Sequence, residues 1–152
     1  MPDAIDRQLL KALQVNNRRT ISDLCETIGL TPQTCHRRLK RLRESGLIER
    51  EGALIDPVHG ARPLTVFMEF SLERTGTASR LAFEQKMRAL DEITMLWAVA
   101  GKSDFHAVGQ FRDLDHYYEF ANGKIISDDT VRHRDTTFAI NRLKFDIVVP
   151  FA

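Results

Sequence analysis

The chain has 152 residues, of which 43% are hydrophobic and 28% charged, and 22 basic against 21 acidic side chains give a formal net charge of +1. This length and composition predict one ordinary domain or two small ones with an apolar core, and they exclude disorder as the main state. No run approaches the roughly 18 apolar residues that cross a bilayer, and residues 1–4 do not resemble a secretory signal, so we expect a soluble cytoplasmic protein with no membrane partner. Cys25 and Cys35 fit neither a disulfide framework nor a metal pair, so we expect both thiols in the core.

Two short helices are predicted at the start of the chain. Apolar residues at helical spacing behind Asp3 predict the first over residues 3–14, because an aspartate at the N-cap accepts a hydrogen bond from a backbone N–H. The second begins after Thr20 and ends at Gly29, since glycine takes a left-handed C-cap at least cost.

A third helix is predicted from Thr31 to Ser45, with Pro32 at its first position. Residues 31–50 hold six basic and two acidic side chains, a local balance of +4, so that the other 132 residues sum to −3. The near-zero net charge of the whole chain therefore does not exclude a nucleic-acid partner. The free face of this helix is predicted to carry Gln33, Thr34, Arg37, Arg38 and Arg41.

A tight glycine-containing turn joins the second helix to this basic one, and such an arrangement places a helix in the major groove of DNA. Gln33 and Thr34 are short enough to reach base edges, whereas arginines one and two turns later can meet phosphates or guanine. The sequence therefore predicts double-stranded DNA as a partner. A three-helix interaction module that never touches DNA is the alternative.

The segment after the third helix predicts a wing. Residues 47–55 favour a two-stranded hairpin with Glu51 and Gly52 at its turn, which makes the unit a winged helix-turn-helix. The predicted organisation is a DNA-binding domain over residues 1–56, a linker over 57–63 and a second domain over 64–152.

The second domain is predicted to combine four strands and two helices. Apolar and polar side chains alternate over Leu64–Leu72, which predicts a strand, and a helix, two strands flanking Gly101 and a helix behind Asp113 follow. A last strand region is predicted over Thr136–Val149, with a change of phase at 141–142. This order predicts an α+β fold, a ferredoxin-like βαββαβ domain whose antiparallel sheet carries both helices on one face.

The other face of this sheet is not wholly polar. Phe67, Leu96 and Val108 are predicted to lie on it, opposite the better-filled apolar stripe. An exposed apolar face of this kind favours burial against a second copy, so we expect a symmetric homodimer.

Short motifs in both predicted domains indicate a family. They are Ile5-Asp6-Arg7-Gln8-Leu9-Leu10, Asn17-Arg18-Arg19, Leu30-Thr31-Pro32, Lys40-Arg41-Leu42, Gly46-Leu47-Ile48 and Gly101-Lys102-Ser103-Asp104-Phe105. Together with the predicted domain order, they resemble the Lrp/AsnC family of bacterial and archaeal transcription regulators over essentially the whole chain. The combination is more specific than any one motif, because helix-turn-helix patterns occur in many families.

The resemblance implies a DNA-binding regulator built from dimers, often assembled into tetramers or octamers, with a small effector, commonly an amino acid, bound between subunits. No other cofactor is expected. By the same resemblance, Arg18, Arg19 and Thr31 join the DNA-binding candidates.

The resemblance places the effector beside Gly101, Ser103 and Asp104. A carboxylate at Asp104 could accept the ammonium group of an amino acid, while backbone N–H groups of the turn bind its carboxylate. A plain turn residue is the alternative role for Asp104.

Many family members carry a T-x-T pattern entering the last strand. Here the stretch is Arg134-Asp135-Thr136, so Thr136 matches and Arg134 departs. Arg134 could pair with an effector carboxylate, or with Asp104 or Asp135 in an empty site. The departure leaves open an acidic ligand, a ligand that is not an amino acid, or no ligand.

Two other functions compete with an effector-controlled regulator. One is an enzyme, because the architecture also resembles siroheme decarboxylases, in which histidines act, and His106 lies in a predicted strand. No nucleophile, paired-carboxylate or metal-spaced set supports catalysis, so we do not expect an enzyme. The other is an architectural DNA-binding protein without an effector, which the departure at Arg134 favours.

Overall fold

The computed structural model describes residues 1–16, 18–73, 76–145 and 148–150. The chain divides into two compact units. The first contains residues 1–53 with the described residues from Lys144 onwards, and the second contains Leu54–Leu143. The predicted division into a domain over residues 1–56, a linker and a domain over 64–152 stays a prediction.

The first unit contains the three predicted helices: α1 over Ala4–Val15, α2 over Ile21–Ile28 and α3 over Pro32–Glu44. Asp3 caps α1 by accepting a hydrogen bond from the backbone N–H of the third helical residue. Gly29 ends α2 at φ +73°, in the left-handed region that favours glycine. The helix-turn-helix prediction is therefore confirmed.

A small apolar core holds these helices together. It consists of Leu9, Leu24, Cys25, Cys35 and Leu39. Burial, together with the hydrogen bond that the Cys35 thiol shares with the neighbouring Cys25, raises the pKa of Cys35 to about 12. Both thiols are therefore core side chains, as the sequence predicts, and Cys35 is a poor nucleophile at neutral pH.

The predicted wing is wrong in its secondary structure. Residues 47–55, all of them described, contain no strand. The apolar side chains of the expected second strand, Leu54 and Ile55, are largely exposed, so they gain little from packing. A two-stranded hairpin is marginal in water without such packing, which explains its absence.

The second unit is the predicted α+β domain. Its elements are β1 over Leu64–Leu72, α4 over Thr77–Arg88, β2 over Ile93–Ala98, β3 over Phe105–Phe111, α5 over Leu114–Phe120 and β4 over Val131–Phe138. A π-helical turn, Ala121–Ile126, extends α5. The strands pair antiparallel in the order β2-β3-β1-β4, which confirms the ferredoxin-like topology.

One face of the sheet carries both helices and the core. Phe83 of α4 packs on Phe70 of β1 and Phe105 of β3, with ring centroids 5.3 and 5.0 Å apart. A side chain at Gly109 would place its Cβ 2.6 Å from the ring of Phe111, so this ring, two residues further along β3, packs directly over the glycine. The core therefore fixes the strands that carry the expected effector residues.

The last strand differs from its prediction. β4 begins at Val131, before Thr136, and no described residue after Phe138 belongs to a strand. Phe138 pairs with Val66, and the next N–H donates to the carbonyl of Thr65, at the start of β1. β1 ends one residue beyond this point, and the predicted extension is absent from residues 139–145 and 148–149, while residues 146 and 147 lie outside the described residues.

The sheet face opposite the helices contains Phe67 and Val108, as predicted, but not Leu96. Leu96 pairs with Ala107 and packs against the core. The register of β2 on β3 shifts between Ile93 and Met95, and this irregularity changes which side chains face inward. The prediction for Leu96 is therefore wrong.

Candidate nucleic-acid interface and effector site

The N-terminus of α3 is fixed by a threonine cap. The Thr31 hydroxyl accepts a hydrogen bond from the Thr34 backbone N–H at 3.4 Å and donates to the Thr34 hydroxyl at 2.9 Å. Pro32 follows at the first helical position, where its missing N–H costs nothing. Thr31 and Thr34 therefore set where α3 begins.

A row of exposed polar and basic side chains runs along α3. We define the basic face of α3 as Gln33, Arg37, Lys40 and Arg41. Lys40 lies 3.8 Å from Glu44 in an exposed i,i+4 pair, which a nearby phosphate could replace at little cost. Lys40 is absent from the DNA-binding residues predicted from the sequence, although its spacing from Arg37 and Gln33 places it on the same face.

Arg38 does not share this face. Its guanidinium lies 2.6 Å from the Asp3 carboxylate and 2.8 Å from the Asp6 carboxylate, on the side of α3 that meets α1. The backbone N–H of Asp6 and the Arg38 guanidinium both lower the pKa of Asp3, and the hydrogen bonds to Asp3 and Asp6 raise the pKa of Arg38. The prediction that Arg38 lies on the free face is wrong.

Asp6 is the centre of this network. Its side chain is only 1% exposed, and it accepts bonds from Arg38 at 2.8 Å and from Arg41 at 2.5 Å. It also accepts the backbone N–H of Asp3, which completes a capping box at the start of α1. The carboxylate of Asp6 therefore orients two arginines of α3, while Arg41 stays largely exposed.

The two other arginines predicted to contact DNA lie between α1 and α2. The backbone N–H of Arg18 donates to the Asn16 side chain at 2.9 Å, and both Arg18 and Arg19 are exposed. Arg19 also lines a shallow groove with Val15 and Ile28. Both arginines stay candidates for contacts with the DNA backbone.

Asp104 is engaged inside the second unit. One carboxylate oxygen accepts the Leu72 backbone N–H at 2.9 Å, and the other accepts the Arg80 guanidinium at 2.6 Å. The Asp104 side chain is 18% exposed, and the Arg80 guanidinium lies over the Phe105 ring, 5.1 Å from its centroid. This arrangement clamps α4 to the ends of β1 and β3.

The turn before Asp104 contains the other two predicted effector residues. Gly101 is exposed, and the Ser103 hydroxyl lies 2.8 Å from Nε2 of His106. Glu69 approaches the same nitrogen at 3.6 Å. Because both neighbours meet one ring nitrogen, His106 cannot relay a proton between them as a catalytic triad does.

Thr136 and Arg134 lie on β4, on the face that carries the helices. Thr136 shares a 2.8 Å hydrogen bond with the Tyr117 hydroxyl. Arg134 pairs in register with Phe70, which pairs with Phe105 on its other side, so Asp104 and Arg134 are separated by the width of β1. Two strand spacings amount to about 10 Å, so the structure does not bring these two charges together.

Neither of the intramolecular partners suggested for Arg134 is bound to it. Asp104 pairs with Arg80, and Asp135 lies 3.1 Å from His133. Among the described residues, Arg134 has no ion-pair partner.

The face of the sheet away from the helices carries a row of apolar side chains. We define this outer sheet face as Phe67, Met95, Trp97 and Val108. Phe67 is 47% exposed and Trp97 51% exposed. Exposed aromatic side chains of this size are typical of interaction surfaces.

Two family models match the chain. A winged helix-turn-helix DNA-binding model matches residues 2–49, and a model of the Lrp/AsnC ligand-binding domain matches residues 65–149. The chain belongs to the Lrp/AsnC family. It is therefore a transcription regulator with a DNA-binding and a ligand-binding domain.

Similar proteins agree with the family. An HTH-type transcriptional regulator of Sinorhizobium fredii is 33% identical over 148 residues, which cover 97% of this chain and 88% of the relative. The DNA-binding transcriptional activator DecR of Escherichia coli is 29% identical and is covered at 99% of both chains. A transcriptional regulator of Neisseria meningitidis, crystallised with L-methionine, superposes with a TM-score of 0.91 at 27% identity, covering 99% of this chain and 97% of that one.

These relatives of the Lrp/AsnC regulator are named for regulation of transcription and not for catalysis. No group of three or more metal-ligating side chains occurs among the described residues. None of the helices in the described ranges is long and apolar enough to span a bilayer.

Proposed function

We propose that the basic face of α3 enters the major groove of operator DNA and that a small molecule bound by the second unit alters this binding. The observation that carries the proposal is the way in which α3 is held. Its N-terminus is capped by Thr31, its side towards α1 is fixed by Asp6, and its opposite side presents Gln33 and Arg37 to solvent. A rigid helix with one free polar and basic face is what groove binding requires.

The members of the basic face differ in their expected roles. Gln33 lies near the helix N-terminus, where an amide can bond to adenine, and Arg37 lies one turn later, where a guanidinium can reach guanine or a phosphate. Lys40 and Arg41 are suited to phosphates further along the groove. Arg38 holds α3 against α1 through Asp3 and Asp6, so we do not include it among the DNA contacts.

Replacing Arg37 with alanine is expected to weaken operator binding by about tenfold, since one charge-assisted contact is worth on the order of 1–3 kcal/mol. The measurement is fluorescence anisotropy with a DNA fragment that the wild-type protein has selected from a random library, repeated at several salt concentrations. A phosphate contact would also lower the salt slope by about one unit.

The matched control for this experiment is Arg43→Ala. Arg43 lies on the same helix and carries the same charge, but it pairs with Glu51 at 2.9 Å, away from the basic face. This variant is expected to keep wild-type affinity within about twofold. Equal losses for both variants would mean that only net charge matters, and unchanged binding by Arg37→Ala would contradict the placement of α3 in the groove.

The proposed effector is a small carboxylate-bearing molecule, as an amino acid is. The Neisseria relative is a complex with L-methionine, and its fold covers nearly the whole of this chain. Gly101, Ser103, Arg134 and Thr136 stay the effector candidates, because the turn offers backbone N–H groups and β4 offers a guanidinium and a hydroxyl. Asp104 supports the turn through Arg80 and Leu72.

We also propose that two copies of the chain pair through the outer sheet face, and that the dimer acts in the cytoplasm, where operator DNA is accessible. A palindromic operator would then match the two-fold symmetry of the dimer. Tetramers or octamers, which the family resemblance implies, would need further contact surfaces.

Substituting Phe67 with serine is expected to raise the dissociation constant of the dimer by at least about tenfold, because symmetry removes two buried aromatic side chains from one interface. Sedimentation velocity over a series of protein concentrations measures this dissociation constant. Leu81→Ser is the control, since Leu81 is similarly exposed but lies on α4, which covers the opposite face. A dimer that weakens with Leu81→Ser and not with Phe67→Ser would reassign the interface to the helices.

A further inference from the structure

A cleft opens along the edge strand β4 of the second unit. Its volume is about 310 Å³, and it lies between β4 and the π-helical turn that extends α5. It is lined by Ile125, Ile126, Val131, Arg132, His133 and Arg134. A space of this size is at the lower end of the range for small-molecule sites.

Two arginines of β4 line this cleft, and one of them lies at a β-bulge. Ser71 of β1 pairs with His133, but the next residue, Leu72, pairs with Val131, so Arg132 is the extra residue of β4 and has no partner on β1. Bulges at sheet edges redirect side chains, and they are over-represented next to binding sites. Arg132 and Arg134 both line the cleft, and because Arg132 has no partner on β1, its side chain is not held in the sheet.

The positive charge of the cleft is not neutralised from within. Among the described residues, neither Arg132 nor Arg134 has an ion-pair partner. The nearby carboxylate of Asp135 lies beside His133 at 3.1 Å, and Asp128, on the turn before β4, is bonded to Lys86 at 2.6 Å. Asp129, beside Asp128, is exposed and does not line the cleft.

We infer that the effector of this regulator is a dicarboxylate of four or five carbons, held by Arg132 and Arg134, and that an α-ammonium group is not required. The inference rests on the proposed regulation by a small molecule and narrows its chemistry. It follows from a difference between the Asp104 carboxylate and the two arginines of the cleft. Asp104, the residue expected to accept an ammonium group, is already satisfied by Arg80 and Leu72, whereas the two guanidiniums of the cleft are open to an anion.

The shape of the cleft favours two separated carboxylates over a compact anion. Arg132 and Arg134 are separated by one residue of β4, so their guanidinium groups approach the cleft from two separate positions. A planar guanidinium binds a carboxylate through two parallel hydrogen bonds, and each arginine can take one end of the ligand. The methylene groups between the ends would lie against Ile125 and Val131, the apolar part of the lining.

The test is isothermal titration calorimetry of the full chain with glutarate, 2-oxoglutarate, L-glutamate, L-methionine and inorganic phosphate. The two dicarboxylates without an amino group are expected to bind, with L-glutamate no more than about tenfold tighter than 2-oxoglutarate. In Arg134→Gln, their affinity is expected to fall by at least about tenfold.

Arg112→Gln is the matched control. It removes the same charge from the same unit, but Arg112 follows β3 at the end of the sheet near Leu64, whereas Arg134 pairs with Phe70. Six residues of β1 separate these points by about 20 Å. The control is expected to bind dicarboxylates like the wild type.

Three outcomes would overturn the inference. Phosphate binding as tightly as glutarate would indicate a simple anion site, tight binding of L-methionine that Arg134→Gln leaves intact would place the effector elsewhere, and no binding at all would favour a regulator without an effector. Operator binding by the ligand-free wild type is measured in parallel. Its presence shows that the DNA-binding proposal stands even where the effector inference fails.

Discussion

Replacing Asp6 with alanine is expected to lower the free energy of unfolding of the first unit by about 2–3 kcal/mol, because the mostly buried Arg38 guanidinium loses one of its two carboxylate partners. Arg38 is about one-fifth exposed, and one of its nitrogens, Nε, is buried without a hydrogen bond even in the intact network. Loss of Asp6 would leave Asp3 as the single carboxylate on this guanidinium. Arg41 is largely exposed, so its loss contributes little.

The same substitution is expected to reduce operator binding, because α3 loses the contact that orients it against α1. Urea denaturation followed by circular dichroism measures the stability, and anisotropy measures the DNA affinity at a temperature where the variant is folded. Asp23→Ala is the control, since Asp23 lies on α2 and is exposed. It is expected to change the free energy of unfolding by less than about 0.5 kcal/mol.

A double variant separates charge from packing. Asp6→Leu with Arg38→Met replaces the buried pair by apolar side chains of similar length, which is often neutral for stability. This variant is expected to recover most of the stability that Asp6→Ala loses. A double variant as unstable as the single one would contradict the assignment of the loss to the weakened pairing of Arg38.

The sequence predicts the bounds of the first three helices, but it does not predict the network of ion pairs around Asp6. Helix bounds follow from local signals, and the caps at Asp3, Thr20 and Thr31 all lie where their hydroxyl or carboxyl groups predict. The side of α3 that Arg38 occupies is a boundary between buried and exposed faces, and periodicity alone cannot assign it. A signal was nevertheless present, because Asp6 is an acidic residue on the apolar face of α1.

The topology of the second unit could be predicted because it also depends on local patterns in the sequence. The alternation over β1 is local, and the order of strands and helices admits few arrangements. The prediction for Leu96 failed because an irregularity in β2 reverses which side chains face the core. No residue type in β2 indicates this irregularity. The clamp on Asp104 depends on Arg80, which is 24 residues away in sequence, so only the folded structure reveals that this carboxylate is occupied.

Replacing Asp104 with alanine is expected to lower the free energy of unfolding of the second unit by about 2–3 kcal/mol. Most of this cost comes from the backbone N–H of Leu72, a buried residue, which loses its acceptor. The Arg80 guanidinium is about one-third exposed, so water replaces part of its bond, and its contribution is smaller. Thermal and urea unfolding of the full chain measure the change.

Asp104→Asn distinguishes a clamp from an ammonium site. The amide oxygen of asparagine can still accept the Leu72 N–H, so this variant is expected to lose less than half as much stability as the alanine variant and to bind effector like the wild type. If Asp104 instead receives the ammonium group of an amino acid, the asparagine variant would keep its stability and lose the ligand. The two roles therefore predict opposite effects of Asp104→Asn on effector binding. A clamp needs only a hydrogen-bond acceptor, whereas an ammonium site needs a negative charge.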